Sequence, residues 1–150
     1  MFSFKRLIEE EIVKIRLKKV NSGILSFPQV LKIKGKRTIV LVPKDEEKKR
    51  IENLLKMKGL EPLIVEWENF SILSGEYKKI SKENRTNRFE LAILLKEPSQ
   101  LASLALPLIL KIPIRVGIGI KPQNEFCNIY INTNDITKGL TFFLNYIEVQ

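Results

Sequence analysis

The residues best suited to chemistry lie between Lys96 and Gln100, directly after an apolar run that is typical of a buried strand. In open α/β sheets, ligands bind at the carboxyl ends of the strands, and this segment is expected to lie there. Pro98 suits the first turn of a following helix, whose Ser99 and Gln100 amides would then face an anionic ligand. Glu97 is a candidate general base, although a carboxylate at this position more often complements the helix dipole.

Arg115 stands between Ile114 and Val116 in the next apolar run, so its side chain is expected on the opposite face of that strand. A guanidinium in a sheet covered on both faces needs a partner, and Glu97 or Glu90 is the expected one. We favour a structural ion pair over a substrate clamp and keep Arg115 as a candidate ligand-binding residue.

Gly117 and Gly119 follow on the same strand, and two glycines after a strand let backbone amides approach an anion. Both are therefore candidate ligand-binding residues. A third glycine is missing and Pro122 follows at once, so we favour a tight exit from the strand over a dinucleotide loop.

The chain contains no histidine and a single cysteine, Cys127. This composition excludes disulfides within the chain, zinc sites made of Cys and His, and catalysis by imidazole. We predict no metal site and no cofactor, and we interpret Cys127 as a small hydrophobic residue near the start of a strand.

The net charge of +9 is concentrated in the first 60 residues, which hold sixteen Lys or Arg and seven Asp or Glu. Such a basic half is compatible with an anionic partner, such as nucleic acid, a phospholipid headgroup or a sugar phosphate. We favour solvated lysine-rich faces over a nucleic-acid surface, because that half lacks aromatic residues after Phe27. An anionic small ligand remains a candidate partner.

Two βαβ units account for most of the apolar pattern. The first has strands at 38–42 and 63–65 around a helix that Asp45 caps and Gly59 ends. The second has strands at 89–95 and 114–118 around a helix at 98–110, which Pro107 is expected to kink or end. A strand at 128–131 and a final helix, capped by Asp135 and running over 136–147, complete the prediction.

This alternation predicts one domain over residues 1–150, a Rossmann-like three-layer α/β/α sandwich with a mostly parallel sheet of about five or six strands. Residues 1–20 favour an amphipathic basic helix, although residues 11–20 also alternate as a strand would. Residues 29–33 are predicted as a short turn or helix, and residues 69–87 as a long surface loop with one helical turn.

The N-terminus lacks the apolar centre of a secretory signal, and no run is long enough to cross a bilayer, so we expect a cytoplasmic protein. An amphipathic first helix and an apolar closing helix leave surfaces to cover, so a homodimer is expected.

The run RFELAILL, the small-residue helix SQLASLAL and the strand IPIRVGIG resemble the N-terminal half of glycosyltransferase family 9, the bacterial heptosyltransferases. The likeness extends to residues 23–42, which are similar to the family's first loop, Pro-containing helix and second strand. In that family the early loop carries a Gly-Asp whose carboxylate acts as general base on the acceptor. Here the matching positions are Asn21, Ser22 and Gly23, with no carboxylate, and we take Ser22 and Gly23 as ligand-binding candidates.

The family joins two Rossmann-like domains and binds its nucleotide-sugar donor mainly through the second, whereas the resemblance here covers the first. We therefore expect a stand-alone, non-catalytic binding or assembly module that resembles the acceptor half of a GT-B glycosyltransferase. The alternative is a transferase subunit that acts on a phosphorylated sugar or lipid acceptor beside a second transferase-like chain. Nucleic-acid binding through the basic half is a further alternative.

Overall fold

A computed structural model describes residues 30–44, 46–71, 73–96, 101–120 and 126–150. Its elements are, in chain order, β1 (Leu31–Ile33), β2 (Arg37–Val42), α1 (Lys48–Met57), β3 (Glu61–Glu66), a 3-10 turn (Trp67–Asn69), α2 (Gly75–Thr86), β4 (Leu91–Leu95), α3 (Leu101–Ile109), β5 (Ile114–Ile118), β6 (Ile129–Ile131), α4 (Ile136–Tyr146) and β7 (Ile147–Val149).

Five strands form one parallel sheet in the order β3-β2-β4-β5-β6. In its register, Val40 at the centre of β2 lies between Ile64 of β3 and Ile93 of β4. Both predicted βαβ units are present, because β2 and β3 are neighbours joined through α1, and β4 and β5 are neighbours joined through α3. The predicted α/β fold is confirmed, with a Rossmann-like arrangement whose strand order reverses between β2 and β4.

The sheet is buried on both faces, which explains why its central strands are apolar without interruption. On β2, Ile39 and Leu41 face a core that includes residues of α2 and α3, whereas Val40 and Val42 face a core that includes residues of α1 and α4. The side chains of β4 divide between the same two cores. Helices therefore cover both faces, and the molecule has three layers.

A pair of short parallel strands lies beside the core that includes residues of α1 and α4, and it was not predicted from the sequence. Leu31–Ile33 is a strand, not the predicted turn or helix, and it pairs with Ile147–Val149. The predicted last helix therefore stops at Tyr146, and a strand follows it. Alternation explains the strand, since Leu31 and Ile33 are buried while Lys32 between them is exposed.

Residues 75–86 form the twelve-residue helix α2, so the predicted surface loop over this stretch is wrong. Ser74 is the N-cap, and its hydroxyl accepts a hydrogen bond from the Tyr77 amide at 3.3 Å. Ile80 is the one fully buried side chain of this helix. The apolar stripe is so narrow that hydrophobic periodicity does not reveal the helix.

The structure tests three predictions about where helices begin and end, and it confirms two of them. Helix α1 begins at Lys48 with Glu47 in the N-cap position, so the predicted capping by Asp45 is wrong, and Asp45 itself lies outside the described residues. Gly59 follows α1 with a φ of 92°, as predicted for a helix end. Asp135 caps α4 as predicted and accepts from the third amide of the helix at 3.1 Å.

Helix α3 includes Pro107 and ends at Ile109, so Pro107 does not end the helix, and the predicted alternative of a kink stays a prediction. A proline at this position lacks the N–H that would reach the Ser103 carbonyl. The helix and strand alternatives predicted for residues 1–20 lie outside the described residues. None of the helices that the structure describes has the length and apolar character needed to span a bilayer.

Candidate functional site

The carboxyl ends of β2 and β4 form the place where an open α/β sheet binds ligands, because the strand order reverses between them and leaves a crevice. The chain leaves β2 through Pro43 and Lys44 and leaves β4 at Lys96. Lys96 has a φ of 64°, a left-handed conformation that non-glycine residues seldom adopt. Charged side chains of both exits therefore meet at this edge.

These charged groups are engaged with one another. The Lys96 ammonium lies 3.1 Å from a Glu46 carboxylate oxygen across the crevice. Lys48, in the first turn of α1, pairs with Glu66 at the end of β3. The carboxylate of Glu68 accepts a hydrogen bond from the Lys44 amide at 3.1 Å. Three carboxylates at this edge are thus already bound by cations or amides of the same chain.

Trp67, directly after β3, packs in the core and links three elements. Its indole N–H donates to the Leu95 carbonyl at 3.3 Å, and its own carbonyl accepts from the Ser103 hydroxyl at 2.8 Å. All three residues are buried. The indole thereby ties the end of β3 to the end of β4, and the Trp67 carbonyl ties it to α3.

Five of the predicted site residues cannot be placed at this edge or elsewhere. Glu97, Ser99, Gln100, Ser22 and Gly23 lie outside the described residues. Their assignment to catalysis or ligand binding therefore stays a prediction from the sequence.

Gly119 has a φ of 73°, which agrees with the interpretation of a tight exit from β5. A Cβ atom at this position would lie 2.9 Å from the Ile136 methyl, so glycine also permits the close approach of α4. The Gly119 amide donates to the Ile131 carbonyl at 3.0 Å and continues the ladder with β6. Gly117 lies within β5, where a Cβ atom would come 3.3 Å from the Cys127 sulfur. Both glycines therefore serve local packing.

Arg115 is 4% exposed and lies on the opposite face of β5 from Val116, as the alternation predicts. Its guanidinium donates through Nε to the Phe126 carbonyl at 2.9 Å and through Nη1 to the Ile112 carbonyl at 2.8 Å. Burial lowers the pKa of the Arg115 guanidinium, and the nearby Cys127 opposes this shift. Two main-chain carbonyls thus bind the guanidinium, and the expected ion pair with Glu97 stays a prediction.

Of the two expected partners of Arg115, Glu97 is not described and Glu90 lies elsewhere. The Glu90 side chain packs over Gly35, at the point where a Cβ atom of that residue would be. Its backbone amide donates to the Arg37 carbonyl at 3.0 Å, next to the start of β2. Gly35 is therefore required there by packing, a constraint that sequence spacing alone does not reveal.

Cys127 is 6% exposed, and burial raises the pKa of its thiol to about 12, although Arg115 acts in the opposite direction. At neutral pH the thiol is therefore protonated and poorly nucleophilic. Within the described ranges, no three His, Cys, Asp or Glu side chains come together as metal ligands.

Two further features of the structure were not predicted from the sequence. One is the set of ion pairs at the carboxyl edge, whose members are distant in the chain. The other is a cavity of about 260 Å³ at the amino edge of the sheet, between the ends of α2 and α3. Arg85 lines this cavity and belongs to residues 69–87, which were predicted as a surface loop. Helical spacing of Tyr77, Ser81 and Arg85 is the signal that identifies its wall.

No protein-family model, curated protein sequence or solved structure matches this chain. The resemblance to glycosyltransferase family 9 therefore rests on the quoted residues alone and stays a prediction.

Proposed function

We propose that this chain is a binding or assembly module built on a Rossmann-like fold, not a complete enzyme. One observation carries the proposal. At the carboxyl edge, where such folds perform chemistry, the described carboxylates Glu46, Glu66 and Glu68 are each bound by a cation or an amide of the same chain.

The chemistry of a general base explains why this pairing matters. A general base needs a free lone pair within hydrogen-bond reach of the substrate and a pKa near the working pH. A carboxylate oxygen that already accepts from a lysine or a main-chain amide has that lone pair occupied. The Cys127 thiol is buried and protonated, so it is equally unsuited to nucleophilic attack.

Kinship with the acceptor half of glycosyltransferase family 9 fits this proposal, since that family binds its nucleotide-sugar donor mainly through its other Rossmann-like domain. The alternative, a transferase subunit that clamps an acceptor phosphate with Arg115, gains no support from the geometry. A buried guanidinium that donates to the carbonyls of Phe126 and Ile112 is committed to the fold.

The test is a turnover assay on the purified full chain with a panel of nucleotide sugars and phosphorylated sugar acceptors. Mass spectrometry would follow both donor loss and product formation. We expect no product above the level given by heat-denatured protein. Product formation by the native chain, abolished in Glu97→Gln, would refute the proposal and favour the transferase reading.

A further inference from the structure

The cavity between α2 and α3, which we call the α2–α3 cavity, is bordered by three cations. Arg85 comes from the last turn of α2, Arg88 from the link to β4, and Lys111 from the turn after α3. None of the described residues that line the cavity is a carboxylate, and Ser81 of α2 adds a hydroxyl. These donors come from three separate segments of the chain and share one concave surface.

None of these three cations forms an ion pair among the described residues. By contrast, Arg37 on the same edge of the sheet pairs with Glu83 at 3.6 Å and stacks on the Phe89 ring. Within the part of the chain that the structure describes, no hydrogen bond of the Ser81 hydroxyl is present either. The cavity thus holds hydrogen-bond donors and positive charge that the described residues do not pair.

Helix dipoles explain only part of this charge. A cation in the last turn of a helix is stabilised by the carbonyl end of the dipole, which accounts for Arg85 and Lys111 individually. The dipoles do not require three like charges to surround one cavity, where they repel each other unless an anion lies between them. Convergence on the cavity, not the mere presence of cations, is the feature that needs an explanation.

The walls of the cavity are fixed by Asn84. Its side-chain amide donates to the Leu110 carbonyl at 3.1 Å, and its side-chain oxygen accepts from the Phe89 amide at 2.9 Å. These two bonds tie the end of α2 to the end of α3 and to the start of β4. A cavity held in this way needs little reorganisation when a ligand binds.

Lys111 occupies a position that suits glycine. Its φ is 59°, and the chain leaves α3 there through hydrogen bonds from Lys111 to the Leu108 carbonyl and from Ile112 to the Pro107 carbonyl, both at 3.0 Å. Glycine is the usual residue in the left-handed position after a helix, because a side chain there strains the backbone. A lysine at this point places a cation beside the cavity.

We propose that the α2–α3 cavity binds a phosphate group carried by a small molecule. Arginine forks, an ammonium and a hydroxyl are the donors that proteins use for phosphate oxygens. The volume of about 260 Å³ suits a phosphate with a small substituent, since pockets for larger ligands begin near 300 Å³. This inference rests on the proposed function, because it gives the binding module its ligand class.

The test compares two variants that carry the same change at opposite edges of the sheet. Lys111→Gly and Lys96→Gly each remove one positive charge from a residue with a left-handed backbone, but only Lys111 borders the cavity. Lys111→Gly relieves backbone strain, so its melting temperature should equal or exceed that of the wild type. Loss of binding in this variant therefore cannot come from loss of the fold.

Binding would be measured by amide NMR titration of the full chain with inorganic phosphate and with glycerol 3-phosphate at constant ionic strength. We expect saturable shifts at Ser81, Arg85 and Lys111 in the wild type. Lys111→Gly should bind about tenfold more weakly, the effect of losing one charge-assisted hydrogen bond. Lys96→Gly should bind as the wild type does.

Absence of saturable binding, or equal weakening in both variants, would overturn the proposal, because net charge alone would then explain the effect. A parallel titration with a duplex oligonucleotide distinguishes the source of the phosphate. Binding of the oligonucleotide without binding of either small phosphate would also overturn it and would favour a nucleic-acid surface. The turnover assay gives an independent answer, since phosphate binding is measurable whether or not product forms.

Discussion

Gly139 provides the most informative test of the packing, because the expected effect of an alanine there is opposite to the effect in an ordinary helix. In an exposed helix interior, replacing glycine with alanine stabilises the fold by about 1 kcal/mol. In α4, a Cβ atom at position 139 would lie 2.6 Å from a methyl carbon of Ile118 and 2.7 Å from that of Thr133. Carbon atoms in favourable contact are about 3.5–4.0 Å apart.

Ile118 is fully buried in β5, so it cannot move away without disturbing the sheet. Overpacking of this kind costs about 1–3 kcal/mol, which exceeds the gain in helix propensity. After subtraction of the gain of about 1 kcal/mol in helix propensity, we expect Gly139→Ala to lower the free energy of unfolding by about 1 kcal/mol, and by about 2 kcal/mol at most.

Urea unfolding followed by circular dichroism would measure this difference. Gly75→Ala is the matched control, because Gly75 begins α2 and a Cβ atom there meets nothing within 4 Å. The control should be as stable as the wild type or more stable by a few tenths of a kcal/mol. A Gly139→Ala variant that matches or exceeds the wild type in stability would refute the described approach of α4 to β5.

Three further substitutions test the structural roles assigned to a buried thiol, a buried guanidinium and a helix cap. Because burial raises the thiol pKa of Cys127 from 9.0 to about 12, the unfolded chain loses this proton first as the pH rises. Between pH 9 and 11 the free energy of unfolding of the wild type should therefore fall by roughly 2 kcal/mol more than that of Cys127→Ala. The same pH dependence of this free energy in both proteins, measured by urea unfolding, would contradict this. Arg115→Lys should lower the free energy of unfolding at pH 7 by about 2 kcal/mol, because an ammonium cannot span both carbonyls, and a change below about 0.5 kcal/mol would contradict the structural role. Asp135→Ala should lower it by about 1 kcal/mol through loss of the α4 cap, whereas an unchanged urea midpoint would show that the cap is dispensable.

The central strands could be predicted because burial on both faces leaves an unambiguous pattern. The apolar run over residues 91–95 is too short for a helix and is followed by a helical segment and a second strand, so local composition and topology agree. Helix α2 was not predicted because it has almost no apolar pattern. Ile80 is its one fully buried side chain, and the rest of its surface is polar. A three-residue strand such as Leu31–Ile33 is defined by its partner β7, more than 110 residues away, and no local signal reports that pairing.

The candidate site was less predictable than the fold because its geometry depends on contacts distant in the chain. Sequence alternation placed Arg115 on the correct face of β5, but its carbonyl partners come from loops whose course no pattern reveals. The pairing of Lys96 with Glu46 follows from strand order, which decides which loops meet. Prediction of the α2–α3 cavity would have required knowledge of how the end of α2 lies against the end of α3.

The central claim is that Lys48 and Lys96 are paired with carboxylates at the carboxyl edge, whereas Arg85, Arg88 and Lys111 at the α2–α3 cavity form no ion pair among the described residues. Crystals of the full chain soaked in sodium tungstate, a heavy-atom analogue of phosphate, would test it through an anomalous difference map. We predict a peak in the cavity within hydrogen-bond distance of Ser81 and Arg85. A peak at the carboxyl ends of β2 and β4, with none in the cavity, would contradict the claim.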